Sequence, residues 1–176
     1  MSFSTVLMDP PWNERGAGKI KRGADRHYPL IKTKAEMLRV ILDCPHWPPA
    51  PDAHIYMWAT DNYLTWAVWL LDCFGAKLHR TLPWTKSRMG LGQYFRGKHE
   101  LLLFATIGRG MAVKTDATLC TDALVGAPHL RKHSSKPKAQ YKLIEARSKG
   151  PYLEMFARNE RKGWTSWGNE VGGSDG

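Results

Sequence analysis

Val6-Leu7-Met8-Asp9-Pro10-Pro11-Trp12 is an apolar run cut off by an acid, two prolines and a large aromatic. The apolar residues from Phe3 to Met8 predict a short buried strand, and Pro10 and Pro11 cannot extend it, because each lacks the backbone N–H that a ladder needs. Asp9 then sits at the carboxyl end of a strand. In an open α/β sheet ligands bind at that edge, so Asp9 is the first candidate functional residue.

Outward from this strand the chain alternates. Asn13 to Pro29 is polar, basic and glycine-containing, a loop expected to lie over the site, with His27-Tyr28-Pro29 as its ordered part. Thr33-Lys34-Ala35-Glu36 has the form of a capping box, and Met37, Val40 and Ile41 continue it at helical spacing to about Cys44. After the proline-rich connector Pro45 to Pro51, His54 to Trp58 reads as a second strand. Thr60 or Asp61 is expected to cap a helix faced by Leu64, Ala67, Val68 and Leu71 and ended by Gly75. Lys77 to Trp84 and Glu100 to Ile107 are further strands, the latter so apolar that it should be central. Between them Thr85 to Lys98 is a second basic loop, and Met111 to Thr118 is a candidate edge strand. Ser134 or Ser135 should cap a helix from Pro137 to about Lys149, with Gly150 as its stop; Tyr152 to Phe156 and Trp164 to Trp167 complete the strands. This alternation predicts an α/β fold with a mainly parallel sheet and helices on both faces.

The 176 residues fit one domain, 1–171, followed by a frayed tail, 172–176. Lysine and arginine exceed aspartate and glutamate by 26 to 16, a net charge of +10. The excess is clustered in Arg15 to Lys34, Arg80 to Lys98 and Arg131 to Lys149, three stretches that could converge on a polyanion such as nucleic acid. Basic surface alone does not establish such a partner, since net charge speaks to association and not to fold. Cys44, Cys73 and Cys120 are odd in number and widely spaced, which suits a reducing compartment better than a disulfide framework or a zinc site. No apolar run approaches the ~18 residues of a membrane span and the N-terminus lacks a signal-peptide pattern, so a soluble cytoplasmic protein is expected.

Asp9-Pro10-Pro11-Trp12 suits transfer of a group to a nitrogen that is a poor nucleophile. An exocyclic amine such as that of adenine shares its lone pair with the ring. A carboxylate at Asp9 and the carbonyl of Pro10 offer two acceptors for its two hydrogens; held by both, the nitrogen can pyramidalise and point its lone pair at an electrophile. The prolines keep the carbonyl rigid and Trp12 offers a face on which a planar base can stack. Taken alone, the tetrapeptide reads equally well as a strand end with a proline turn and a packed tryptophan.

Asp9 to Trp12, with His27-Tyr28-Pro29, Ile55-Tyr56-Met57-Trp58, Gly97-Lys98-His99-Glu100-Leu101, Ser134-Ser135-Lys136-Pro137, Glu154-Met155-Phe156-Ala157-Arg158 and Gly163-Trp164-Thr165-Ser166-Trp167-Gly168-Asn169-Glu170, resembles the DPPW adenine-N6 methyltransferase family. That is the family of the catalytic subunit of the mRNA adenosine methyltransferase, with many small bacterial and phage members. The match runs in order through nearly the whole chain. It implies a Rossmann-like methyltransferase fold in permuted order, the catalytic strand first and the donor-binding strand, Tyr152 to Phe156, last, with S-adenosyl-L-methionine as methyl donor and no metal. By the resemblance Asp9 and Pro10 hold the amine, and Pro11 and Trp12 complete the wall. Asp9, Lys136, Arg158, Asn159, Asn169 and Glu170 match positions lining the donor pocket, while Trp12, Tyr28, Lys98 and His99 fall around the acceptor base. Singly, Lys136 and Arg158 also read as solvated element ends and His99 as a polar strand start.

One departure stands out: the glycine-rich FxGxG turn of many methyltransferases is replaced by Phe156-Ala157-Arg158-Asn159, so donor binding should rest on side chains as well as backbone. The catalytic strand begins so near Met1 that target choice is expected from the two loops, the basic helix or a partner subunit. The resemblance to bacterial and phage members favours DNA over RNA as the substrate polymer. An RNA adenosine-N6 methyltransferase and a non-catalytic nucleic-acid-binding subunit are the alternatives, the intact Asp9 counting against the second. Methylation of a protein glutamine or cytosine N4 is disfavoured, because related tetrapeptides for those substrates begin with Asn or Ser and end with Tyr or Phe. Homodimer or partner subunit is left open.

Overall fold

The structure, a computed structural model, describes residues 2–14, 31–87, 89, 94–110, 136–169 and 171. The expected ordering of His27-Tyr28-Pro29, the edge strand Met111 to Thr118, the caps Ser134 and Ser135, and the tail 172–176 lie outside these residues.

The elements in chain order are β1 (Thr5–Met8), α1 (Lys34–Leu42), β2 (Ala53–Ala59), a 3-10 turn (Asp61–Tyr63) leading into α2 (Leu64–Cys73), β3 (Lys77–Thr85), β4 (His99–Ile107), α3 (Ala139–Arg147), β5 (Tyr152–Met155) and β6 (Trp164–Trp167). The strands form a single sheet in the order β3-β4-β2-β1-β5-β6. β1 pairs in parallel with β2 and β5, and β5 with β6; β4 runs against both its neighbours, β2 and β3. The mainly parallel, Rossmann-like methyltransferase sheet expected from the sequence is therefore observed, with one reversed strand set into it.

All of β1 and β2 is buried, as befits central strands covered on both faces. Strand alternation sends Val6, Met8, Ile55 and Met57 to one face, where Met37 and Ile41 of α1 and Ala67, Leu70 and Leu71 of α2 cover them. Leu7, Tyr56, Trp58 and Leu102 go to the other, beneath Leu143 and Ile144 of α3. Each large apolar side chain so buried contributes about 1.5–3 kcal/mol relative to exposure, and together they place helices on both faces.

Local chemistry sets the helix ends. In α1 the Thr33 hydroxyl accepts the Glu36 N–H at 3.1 Å while the Glu36 carboxylate accepts the Thr33 N–H at 3.2 Å, the predicted capping box. Gly75 follows α2 at φ +66°, the left-handed conformation that lets a chain leave a helix. Two expectations need correction. Thr60 stands before the 3-10 turn, but its hydroxyl donates to Glu14 instead of capping a helix. α3 begins at Ala139, not Pro137, and ends before Ser148, whose hydroxyl is drawn into a fully buried bridge between His54 Nδ1 at 2.7 Å and the Tyr56 hydroxyl at 2.8 Å. That bridge, and not Gly150, marks where the helix stops.

From β1 the chain crosses to β2 on one side, while β5 joins β1 on the other, so the carboxyl ends of β1 and β5 form the topological switch point of the sheet. Asp9 and Phe156 are the residues that leave those two strands.

Candidate active site

A cavity of about 450 Å³ opens at this switch point, in the size range of small-ligand sites. Asp9, Lys136, Tyr141, Glu154, Arg158, Asn159 and Arg161 contribute to its walls, with Trp58 and Phe156 as apolar surfaces.

Asp9 is held by Lys136, whose Nζ donates to Oδ1 at 2.8 Å and Oδ2 at 2.7 Å and lies 3.3 Å from Glu100 Oε2. Lys86 donates to the other oxygen of Glu100, so two lysines and two carboxylates form one chain, Lys86–Glu100–Lys136–Asp9, from the base of the β3–β4 hairpin to the end of β1. Burial by itself would raise the Glu100 carboxyl, but the charges of Lys136 and Lys86 outweigh it and hold Glu100 below the usual carboxylate range. Burial by itself would lower the Lys136 ammonium, and here Asp9 and Glu100 raise it instead. Lys136 thus stays a cation at neutral pH, and its ammonium also lies over the Trp58 ring at 5.5 Å. The Trp58 ring is fixed in turn, its indole N–H donating to Gln140 at 2.6 Å.

Glu154 lies on the same face of the sheet as Leu7, its partner in register. Burial pushes its carboxyl up to about 7; the Tyr141 hydroxyl, which donates to both of its oxygens at 2.9 and 3.1 Å, opposes that rise, and the charge of Asp9 adds to it. The Arg161 guanidinium covers the Tyr141 ring at 4.1 Å and reaches Glu145 at 3.4 Å, while its buried Nε has no hydrogen-bond partner among the described residues.

The turn after β5 takes the place of a glycine-rich donor loop. Phe156 adopts φ 61°, a conformation that costs a residue with a Cβ roughly 1–2 kcal/mol. The end of β6 closes against this turn: the Ala157 N–H donates to the Trp167 carbonyl at 2.9 Å, and a Cβ on Gly168 would stand 2.3 Å from the Ala157 carbonyl oxygen.

Of the residues put forward from sequence, Asp9, Lys136, Arg158 and Asn159 come together in the cavity. Asn169 is exposed at the end of β6, outside the cavity wall, and Tyr28 and Glu170 lie outside the described residues. Lys98 and His99 do not line the cavity: the Lys98 carbonyl accepts the Lys86 N–H at 2.6 Å, and His99 Nε2 lies 3.0 Å from Asp61. Pro10 and Pro11 are buried and do not line the cavity; the Pro10 carbonyl accepts the Trp12 N–H at 2.8 Å, a tight turn that fixes its direction and leaves a second lone pair. Trp12 is placed differently from the stacking face expected of it. It is 6% exposed, its ring lies on Tyr63 at 5.4 Å and 17°, and its indole N–H donates to the Trp58 carbonyl at 3.0 Å. It braces the turn, one face already occupied.

Sequence reading did not single out Glu100, Glu154, Tyr141 or Lys86 as site residues. Glu154 carried a signal, since a carboxylate inside an otherwise apolar strand is seldom buried without a partner. Among the described residues no group of three histidine, cysteine or acidic side chains is arranged to hold a metal ion, and no helix is long and apolar enough to cross a membrane.

A sequence profile of the MT-A70 family matches residues 3–170. The chain belongs to the MT-A70 family. Its relatives include the N6-methyladenosine RNA methyltransferase MTA1 of Cryphonectria parasitica, 30% identical over 96% of this chain and 52% of that protein. The N(6)-adenine-specific methyltransferase METTL4 of Homo sapiens is 25% identical over 97% of this chain and 38% of that protein. The type II methyltransferase M.MunI of Mycoplasma sp is 26% identical over 96% of this chain and 78% of that protein. The chain thus spans about half the length of MTA1 and less of METTL4. The resemblance carried by Asp9 to Trp12 and the later motifs is borne out at the level of the family, that of the adenine-N6 methyltransferases.

Proposed function

We propose that this MT-A70 chain transfers a methyl group from S-adenosyl-L-methionine to N6 of adenine at a defined sequence in nucleic acid, DNA in preference to RNA. The observation that carries the reading is Asp9 at the carboxyl end of β1, its carboxylate in the wall of the switch-point cavity and clamped by Lys136, beside a Pro10 carbonyl fixed by the Trp12 N–H.

The donor set suits a zwitterionic, cationic nucleoside. Arg158 and Lys138 offer positive charge for a carboxylate, Asp9 and Glu154 offer acceptor oxygens toward ammonium and sulfonium groups, and Asn159 offers an amide for sugar hydroxyls. Lys136, which the resemblance sets among the donor-pocket positions, directs its hydrogen bonds to Asp9 and Glu100 and so orients the acid. When bound, S-adenosylmethionine supplies an activated methyl group with its leaving group attached.

Asp9 retains acceptor capacity after binding Lys136, because a carboxylate has about four lone-pair sites. It takes one N6 hydrogen and the Pro10 carbonyl takes the other. The lone pair of N6, freed from the ring, would be directed at the methyl group the donor supplies, with S-adenosylhomocysteine as the leaving group, and the proton N6 sheds would leave by way of Asp9 to solvent. Lys136 holds the Asp9 carboxyl group in place through both of its oxygens. If the substrate is a duplex, the adenine leaves the stack first, at a cost of roughly a few kcal/mol.

The likeness to a bacterial type II methyltransferase over most of both chains supports DNA and an action in the cytoplasm of a bacterial or phage-infected cell. The 30% identity to an RNA methyltransferase supports RNA as the second reading. Isotope-labelled S-adenosylmethionine incubated with a panel of single- and double-stranded DNA and RNA oligonucleotides separates them. Label in DNA alone supports the first reading, label in RNA alone the second, and label in neither rejects both.

A further inference from the structure

β3 and β4 close as a hairpin whose last ladder pair is Thr85 with His99. Beyond it stand Tyr94 and Phe95, 95% and 93% exposed. Every other phenylalanine, tyrosine and tryptophan among the described residues is buried or half-buried, and neither Tyr94 nor Phe95 belongs to either core cluster. Two adjacent aromatic rings left in water contribute nothing to folding, and such exposure marks a binding surface.

Their place in the fold narrows what binds. β4 runs against β1 and β2, so its first residues lie at the edge where those strands end: Met8 is level with Met57, and Ala59 with Leu101. The ends of β3 and β4, next to which Tyr94 and Phe95 lie in the chain, are therefore at the edge that carries Asp9. They are also tied to it, since Glu100, the second residue of β4, holds Lys136, which holds Asp9. The residues following the two rings are Arg96, Gly97 and Lys98, all exposed. This cationic flank complements a polyanion, in keeping with the net charge of +10.

We propose that Tyr94 and Phe95 are a stacking platform for the unpaired nucleobases flanking the adenine delivered to Asp9, with Arg96 and Lys98 facing the intervening phosphates. The platform rests on the nucleic-acid reading above and adds to it a preference for single-stranded or locally opened polymer. Stacking tolerates any base, because each has a π face, so the platform confers affinity and strand state without sequence choice.

The test uses the full chain, the double variant Tyr94→Ala/Phe95→Ala and the aromatic swap Tyr94→Phe/Phe95→Tyr, with a fluorescein-labelled single-stranded oligonucleotide bearing one adenine. Loss of a stacked base by alanine substitution amounts to roughly 5- to 150-fold in affinity. The double alanine variant is expected to raise Kd and KM by about 30-fold or more. Its kcat at saturation, its S-adenosylmethionine affinity and the salt dependence of binding should stay unchanged, since no charge is removed. The aromatic swap should stay within about twofold of wild type. Abasic sites beside the adenine should reproduce the loss in wild type and add nothing in the double variant. A wild-type chain that methylates the oligonucleotide and a double alanine variant that matches it would overturn the platform alone. So would a double variant whose loss is matched by dissociation of a dimer in sedimentation, which would make the rings a protein contact. A wild-type chain that neither binds nor methylates any oligonucleotide would remove the underlying reading as well.

Discussion

Replacing Lys136 by Met keeps the bulk of the side chain and removes the cation that sits 2.7 Å from Asp9 and 3.3 Å from Glu100. Breaking a buried ion pair from one side costs about 3–5 kcal/mol, because the abandoned charge stays in a poor solvent. The Asp9 side chain is 25% exposed and rehydrates in part, while the Glu100 side chain, 12% exposed, keeps only Lys86. A loss of about 2–4 kcal/mol follows, and at ~2–4 °C per kcal/mol for a chain of this size Tm should fall by ~5–15 °C. The pH dependence has a definite sign. The Glu100 carboxyl is held below its ordinary 4.5, so its ion pairs stabilise the fold above that pH and cease to do so as pH falls through the native value. The deficit of Lys136→Met should be full at neutral pH and shrink below pH 4.5. Adding Glu100→Gln to the variant should recover part of the loss, since the orphaned charge goes with it. Thermal unfolding followed by circular dichroism at neutral and acidic pH reads all three effects. An unchanged Tm at neutral pH, or an equal loss at both pH values, would show that Lys136 does not stabilise the fold through these ion pairs.

Glu154→Gln tests the other buried acid. Its native carboxyl titrates near 7 against an ordinary 4.5, so the folded state holds the proton more tightly and wild-type stability falls as pH rises between those values. The variant keeps an acceptor for Tyr141 and should be more stable than wild type above pH 7, on the order of 1–3 kcal/mol after allowance for partial exposure, with a flatter profile below; a variant no more stable at about pH 8 contradicts this. Gly168→Ala sets a Cβ against the Ala157 backbone at 2.3 and 2.7 Å. Overpacking of that kind costs about 1–3 kcal/mol, and by shifting the turn after β5 it should weaken S-adenosylmethionine binding in calorimetry; wild-type stability and affinity together would show the closure of β6 to be loose.

What could be read from the chain was largely local. Val6 to Met8 ahead of Asp9-Pro10-Pro11, the Thr33-to-Glu36 box and Gly75 each carry their conformation in a few neighbouring residues, and all appear in the structure as anticipated. The direction of β4 was not legible, because an apolar strand of nine residues has the same pattern read either way; only the shortness of the link from Thr85 to His99 hints at a hairpin. Nor was the ion chain. Asp9, Glu100 and Lys136 are brought together from three distant stretches of the chain, and no spacing announces such a meeting. Trp12 shows the same limit from the other side: the chemistry of a ring is written in its identity, but whether its faces are open depends on Tyr63, 51 residues away.

In the proposed reaction Asp9 holds the reacting amine. Wild type and Asp9→Ala should be incubated with S-adenosylmethionine and an adenine-containing oligonucleotide, the product digested to nucleosides and resolved by mass spectrometry, with circular dichroism confirming that the variant is folded. N6-methyladenine from wild type and none above background from the folded variant is the predicted result. Equal N6-methyladenine from both, or a methyl group from wild type on any other base, would contradict it.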